Sequence, residues 1–405
     1  MTGPHFSDVE YLLDGFETVE TVEDFRARLK LGRPLNVKLG IDPTSPDLHL
    51  GFMVVLEKLQ RFSEAGHNVT LIIGDFTGSI GDPSGRNAMR PPLTREQIEA
   101  NMTTYREQAG KVLDLDRVKI RYNSEWLGTM TFSDVVRLTS HVTVAQMLER
   151  NDFSNRYGSG TPISLHEFLY PVAQAYDSIA VEADVELGGS DQLFNLLLGR
   201  QFQREYGQLP QIAATTPLLV GLDGVKKMSK SLGNYVGIAE NAQTQFGKLM
   251  SIPDELMATY ARLAAFRPAA ECERLRAAIE AGSANPMDEK KRLAFEIVSR
   301  YHGAGEAAAA RDYFERTVQR KEIPTDALPE LRLGEAHRVA DVIVRAGFAE
   351  SKRAAERLIS GNGVKVDGIV VSDPRAPWPA SGPAVLSVGS RKFVRVLPGV
   401  EESHG

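Results

Sequence analysis

The chain has 405 residues, 42% hydrophobic and 25% charged, an ordinary balance for a folded globular protein. At ~100–200 residues per domain it holds roughly two to four domains. Its single cysteine, Cys272, excludes an internal disulfide and any cysteine-cluster metal site. No stretch reaches the ~18 apolar residues of a membrane span, and Met1–Val19 lacks the basic start and apolar run of a signal peptide. The net charge of -6 argues against an RNA partner until its distribution is seen. Residues 337–398 carry 10 Lys+Arg and 5 Asp+Glu, net +5, which leaves -11 for the rest of the chain. A basic tail segment follows an acidic body.

In chain order, Val37–Ile41 reads as a short strand, followed by a two-proline loop and a helix over Phe52–Glu64 that stops at Ala65-Gly66. Val69–Ile73 is a continuous apolar run and predicts a strand buried on both faces. Val118–Tyr122, Val185–Gly188 and Pro217–Val220 read as further strands with helical patterns between them. That alternation predicts a parallel sheet with crossover helices, whose ligands bind at the carboxyl ends of the strands. The loops to inspect follow Gly40, Gly74 and Gly188. Residues 243–323 turn helical, 324–335 form a proline-containing linker, and 336–405 form a small α/β unit. That unit has helices over Val339–Arg345 and Lys352–Ser360, the turn Gly361-Asn362-Gly363 and a strand over Val364–Val366.

Six stretches carry candidate chemistry. Asp42–Phe52 joins a strand end to a helix start, where free N–H groups and the dipole suit phosphates; Thr44 and His49 could donate there, and Gly51 would let a base approach the backbone. The blander reading is a helix capped by Asp47 beside a surface histidine. Gly74–Arg86 holds Thr77 and Asp82 among closely spaced glycines and is not a Walker loop. Tyr170, Gln174 and Asp177 share one helical face, with Pro171 as a possible kink or start. Glu186–Gln192 repeats the strand–turn–helix pattern, with Asp191 an acceptor for a ribose hydroxyl or an amine and Ser190 the candidate cap. Lys226–Asn234 lies between Gly224 and Gly233, a loop able to fold three ammonium groups over a triphosphate. Lys352, Arg353, Arg357 and Lys365 make a compact phosphate-contacting surface.

With these residues in place, His49-Leu50-Gly51-Phe52 paired with Lys227–Ser231 resembles the signature of class I aminoacyl-tRNA synthetases. Asp42-Pro43-Thr44, the Asp82 loop, the Tyr170/Gln174/Asp177 face and Gly188–Gln192 together resemble the tyrosyl-tRNA synthetase family. The last unit is similar to a small RNA-binding module found in a ribosomal protein and in some pseudouridine synthases. The resemblance implies a Rossmann-like catalytic domain over 1–242, an anticodon-binding helical domain over 243–323 and an RNA-binding α/β domain over 336–405. It implies a cytoplasmic homodimer that takes L-tyrosine, ATP and tRNA(Tyr), with Mg2+ held through phosphates and no protein metal site.

By the same resemblance, Thr44, His49, Lys227 and Lys230 serve catalysis, the first two at the γ-phosphate end and the lysines over the pyrophosphate. Gly40, Asp42, Thr77, Asp82, Tyr170, Gln174, Asp177 and Gln192 bind tyrosine, with Asp177 accepting the phenol O–H. Gly51, Phe52, Gly189, Asp191 and Met228 join His49 and the two lysines around ATP. Two positions depart from the better-known branch: Lys38 stands where a tyrosine touches the substrate hydroxyl, and Phe52 replaces a second histidine. The rival readings are a tryptophanyl enzyme, opposed by Asp177 and the basic tail, and an RNA-binding relative without activation, favoured by Phe52 alone.

Overall fold

Branched and apolar side chains make Asn36–Ile41 (β2), Asn68–Ile73 (β3) and Val185–Gly189 (β5) the centre of a sheet covered on both faces, with Val37, Leu39, Val69, Leu71, Val185 and Leu187 all buried. The structure, a computed structural model, describes residues 5–44, 46–83, 94–320, 328–333, 337–379, 382–389 and 392–398. The first sheet runs Thr18–Glu20 (β1), Ile212–Thr216 (β6), β5, β2, β3, Val118–Tyr122 (β4). All neighbours are parallel except β1 on β6. The chain builds outward from β2 through β3 to β4, then returns to the other side of β2 for β5 and β6. A crevice opens at the carboxyl ends where the order reverses, between β2 and β5.

Two strand readings differ. The run Pro217–Val220 is not a strand; β6 is Ile212–Thr216, just before it. Pro217 has no N–H to continue the ladder, and the small residues Ala213 and Ala214 that do pair carry little apolar signal. Val220 forms only an isolated bridge, to Lys227. The sequence reading also lacked β1, a three-residue edge strand.

The helix after β2 spans Leu50–Glu64 and buries Met53, Val54, Leu56, Leu59 and Phe62. The expected Asp47 cap is not the cap: His49 is, its Nδ1 accepting from the Gly51 N–H at 3.2 Å. The Leu169–Ala180 helix carries Pro171 in its first turn, where a missing N–H costs nothing, and it continues as one helix to Ala180. After Asn241, whose side chain caps Thr244, come helices at Ala242–Leu249, Met257–Leu263, Ala269–Glu280, Pro286–His302 and Ala304–Phe314.

By compactness the chain divides after Ala310. The second unit holds a five-stranded sheet ordered Glu330–Leu333 (β7), Lys392–Pro398 (β11), Ala384–Val388 (β10), Val364–Val366 (β8), Ile369–Val370 (β9). Its helices span Val339–Arg345 and Lys352–Ser360, and its core gathers Val342, Ile343, Ile359, Val364, Leu386 and Val396. The expected linker is corrected in part: 324–327 and 334–336 lie outside the described residues, while Glu330–Leu333 is a strand paired in parallel with β11.

Candidate active site

At the carboxyl ends of β2, β3, β5 and β6 the segments that follow these strands and the Leu169–Ala180 helix line a cavity of about 390 Å³. It is lined by Gly40, Asp42, Thr44, His49, Gly51, Phe52, Thr77, Asp82, Tyr170, Gln174, Asp177, Gly189, Asp191, Gln192, Lys227, Met228 and Lys230. Every residue expected to bind tyrosine or ATP is therefore brought to one place from five separate stretches of sequence. Ser84 to Arg86 of the glycine-spaced loop lie outside the described residues.

One group of these residues is polar and enclosed. Asp177, 3% exposed, accepts from the Trp126 indole N–H at 2.8 Å and from the Asn123 amide at 3.4 Å. Burial pushes its carboxyl up to about 7, against the pull of Lys38 and of those two donors. Asn123 also donates to the Thr77 hydroxyl at 3.0 Å, and Thr77 donates to Asp42 Oδ1 at 2.7 Å. Asp42 Oδ2 is buried without a hydrogen-bond partner. Burial raises the Asp42 carboxyl to about 7, opposed by Thr77 and reinforced by the Asp82 charge. Burial and the Asp42 and Asp82 carboxylates together push the Tyr170 phenol well above its usual value. Gly74 has to be glycine here: a Cβ would sit 1.9 Å from Asp42 Oδ1.

Asp82 bridges Arg150 at 3.2 Å and the Gln192 amide at 3.0 Å. Gln192, expected beside a carboxylate of the substrate, thus donates to a carboxylate of the protein in this structure. Asn195 donates to both Gln192 and Gln174 at 2.9 Å, and Gln174 donates to Glu186 at 3.2 Å. Two carboxylates, Asp42 and Asp82, with the Tyr170 phenol beside Asp42, are chemistry for a primary ammonium.

The lysine loop forms the other group. Met228 N–H donates to the Leu219 carbonyl at 2.7 Å and Ser229 N–H to the Asn234 side chain at 2.8 Å, which pins the loop to the strand-exit segment. Lys227 Nζ pairs with Asp191 at 2.5 Å, so the residue expected at a ribose holds an ammonium in this structure. Lys230 meets the Asp47 carbonyl and lies 3.7 Å from its carboxylate. Ser190 is not a cap; it opens a short 3-10 turn at Ser190–Gln192 with no side-chain cap bond. His49 is 9% exposed, not a surface residue. Burial, then the Lys230 and Lys227 charges, push its imidazole down to about 4, so it is neutral at pH 7. With Nδ1 accepting from Gly51, the proton sits on Nε2, which is free to donate. Phe52 packs its ring 4.6 Å from that of His49.

Sequence reasoning missed Asn123, Trp126 and Arg150, and gave no role to Glu186, which opens one of the six stretches. The first two follow β4, the edge strand beside β3; the strand-end rule that points to Gly40, Gly74 and Gly188 reaches them too. In the second unit Arg353, Arg357 and Lys365 are exposed, as a phosphate-contacting surface requires. Lys352 is solvent-facing but pairs with Asp341 at 2.6 Å.

Residues 30–319 match the family of class I tRNA synthetases for tryptophan and tyrosine, and residues 338–377 match the S4 domain. The chain is 50% identical over 377 residues to the tyrosine–tRNA ligase of Thermotoga maritima, covering 93% of this chain and 94% of that one. It is 50% identical over 387 residues to the tyrosine–tRNA ligase of Moorella thermoacetica, covering 94% of each. Its fold is that of the Archaeoglobus fulgidus tyrosyl-tRNA synthetase solved with L-tyrosine (TM-score 0.63, 22% identity, 75% of this chain and 98% of the other). It is also that of the Aeropyrum pernix enzyme (TM-score 0.62, 20% identity, 76% and 98%). The chain belongs to the tyrosine–tRNA ligase family of class I aminoacyl-tRNA synthetases.

Proposed function

We propose that this chain activates L-tyrosine with ATP and transfers it to tRNA(Tyr), using the cavity described above. The observation that carries the reading is a buried carboxylate, Asp177, in the same cavity as the two loop ammonium groups Lys227 and Lys230. A tyrosine carboxylate oxygen attacks the α-phosphorus of ATP, the bond to the bridging oxygen breaks, and pyrophosphate leaves. A hydroxyl of the terminal adenosine of the tRNA then attacks the tyrosyl carbonyl and AMP leaves. No protein nucleophile takes part, so rate comes from placement and charge stabilisation.

Asp177 accepts the phenol O–H, backed by Trp126 and Asn123. Asp42, Thr77, Asp82, Tyr170 and Gln174 surround the ammonium, and Gln192 turns from Asp82 toward the substrate carboxylate. Thr44 and neutral His49, through Nε2–H, hold the γ-phosphate end. Gly51 and Phe52 receive the adenine by backbone contact and stacking, where the usual second histidine would bond the ribose. Asp191 exchanges its lysine for the ribose, and the freed Lys227 joins Lys230 over the departing pyrophosphate. Among the described residues no three His, Cys, Asp or Glu side chains converge on a metal position; Mg2+ enters on the phosphate oxygens of ATP. ATP–pyrophosphate exchange with each amino acid tests the whole reading. Exchange driven by tyrosine supports it, while exchange driven by tryptophan or by no amino acid overturns it.

The helices after Asn241 and the second unit grip the tRNA, the latter through Arg353, Arg357 and Lys365. Because β7 belongs to the second sheet, a clean truncation ends at Arg320, not near Leu333. That truncated protein keeps tyrosine-driven exchange and loses about tenfold or more in tRNA charging, and reversing Arg353 and Arg357 to glutamate in the full chain does the same. Steady-state charging at two salt concentrations checks both.

The chain works as a homodimer in the cytoplasm. The single cysteine, Cys272, suits a reducing compartment. Phe132 and Val136, on one face of the Phe132–Thr139 helix, are 84% and 53% exposed, and Leu165 is 83% exposed, apolar surface that a second copy would cover. Sedimentation gives a dimer at micromolar concentration, and Phe132→Glu moves it toward monomer. A monomer in the unaltered protein removes the claim.

A further inference from the structure

Lys38 is a cation in the floor of the sheet. Both it and Glu186 are 1% exposed, yet neither lines the cavity. Adjacent parallel strands explain the pairing: Lys38 on β2 and Glu186 on β5 are register partners, so their side chains leave the sheet on the same face. Nζ lies 3.0 Å from Glu186 Oε1. Alternation along β2 puts Gly40, which lines the cavity, on that face two residues further on, and cavity-lining Asp42 follows just past the strand end.

Glu186 is a hub. Oε1 also accepts the Gln174 amide at 3.2 Å, and Oε2 accepts Ser178 at 3.2 Å and the amide of Gln211. Fixing Gln174 Nε2 on Glu186 turns its oxygen toward Asn195, 2.9 Å away, which in turn holds Gln192. Removing Lys38 would leave the buried carboxylates of Glu186 and Asp177 without the cation they share, and an uncompensated buried charge is strongly unfavourable.

We infer that Lys38, acting through Glu186, is the positioning residue of the tyrosine pocket: it fixes Gln174 and balances the charge that lets Asp177 accept the phenol O–H. The charged groups facing Asp177 are Lys38 and Asp42 from β2 and the end of β2, and Glu186 from β5; Trp126 and Asn123 add neutral donors. Lys38 does not touch substrate. The inference rests on the tyrosine-activation reading.

The test is pyrophosphate exchange as a function of tyrosine, ATP and pH in the full chain and in Lys38→Met and Glu186→Gln. Lys38→Met raises the KM for tyrosine about tenfold or more, with the KM for ATP unmoved. It also moves the acid limb of kcat/KM for tyrosine to higher pH, because a carboxylate that loses its cation holds its proton more tightly. Glu186→Gln leaves Lys38 to Asp177 alone and moves that limb to lower pH. A purely structural pair would change both substrates alike and shift both variants in one direction, and either result overturns the inference, as does an unchanged tyrosine KM in folded Lys38→Met. Should Lys38→Met not fold, the direction of the Glu186→Gln shift decides. If the unaltered chain shows no tyrosine-driven exchange, the tyrosine reading itself fails.

Discussion

Replacing Asp177 by alanine is expected to lower kcat/KM for tyrosine by about 100-fold or more while ATP binding stays intact, since a buried hydrogen bond to a charged acceptor is worth ~1.5–3 kcal/mol and its loss strands the donors around it. The donors here are the Trp126 indole and the Asn123 amide, both aimed at the carboxylate. The same variant narrows the preference for tyrosine over phenylalanine. In the unaltered pocket phenylalanine brings no O–H to the buried carboxylate and still displaces its water, whereas alanine has no carboxylate to disappoint. Tyrosine kinetics that do not change would place the phenol elsewhere. The pH dependence has a definite sign. Asp177 and Asp42 both sit at about 7 when folded, above the ordinary 3.8, so ionising each one costs stability that is absent below 3.8 and fully felt above about 7. Bound tyrosine brings an O–H to one and an ammonium to the other, favouring the ionised forms. Its binding therefore releases protons, and kcat/KM for tyrosine rises with pH through about 7.

Why this pocket could be read from sequence, and where the reading stopped, follows from what is local. Strands β2 and β3 are short runs of branched and apolar residues, and Val339–Arg345 and Lys352–Ser360 have the helical bounds their periodicity gives. His49, Asp191 and the lysine loop each sit in a contiguous stretch whose residue order carries the signal. Strand β6 escaped because Ala213, Ala214, Thr215 and Thr216, though buried and paired by backbone, are small or polar and carry little apolar signal. Pairs set by register escaped for a different reason. Lys38 and Glu186 are 148 residues apart, and only the β2–β5 alignment puts them opposite each other. The same holds for Trp126 against Asp177, which needs the turn after β4 to fold over the Leu169–Ala180 helix. His49 was legible as a phosphate donor candidate but not as its own helix cap, because the tautomer follows from a contact two residues along the backbone.

Lys230→Ala is expected to lower kcat for tyrosine activation by about 10²–10³-fold with the KM for tyrosine within about threefold, the usual consequence of removing one preorganised charge from a transition state. Lys230 is held beside the site before ATP arrives. Its ammonium is half-buried, which lowers its pKa, and it meets Asp47 and the face of Tyr235, whose centroid is 5.9 Å away. These partners hold it near the loop that carries Thr44 and His49 without neutralising it in water. Charge on the leaving pyrophosphate grows only as the α-phosphorus bond breaks, so a lysine that leaves Asp47 for it acts late and shows in kcat. Lys227, at 2.5 Å from Asp191, must also vacate the ribose acceptor, so Lys227→Ala relieves a competition with ATP as well as losing a charge. The two variants should therefore differ: Lys230→Ala loses kcat alone, whereas Lys227→Ala loses kcat and lowers the KM for ATP. Rapid-quench measurement of adenylate formation separates them. A rise in the ATP KM with kcat preserved in Lys230→Ala would mean that this lysine holds ground-state ATP and does not serve the departing pyrophosphate.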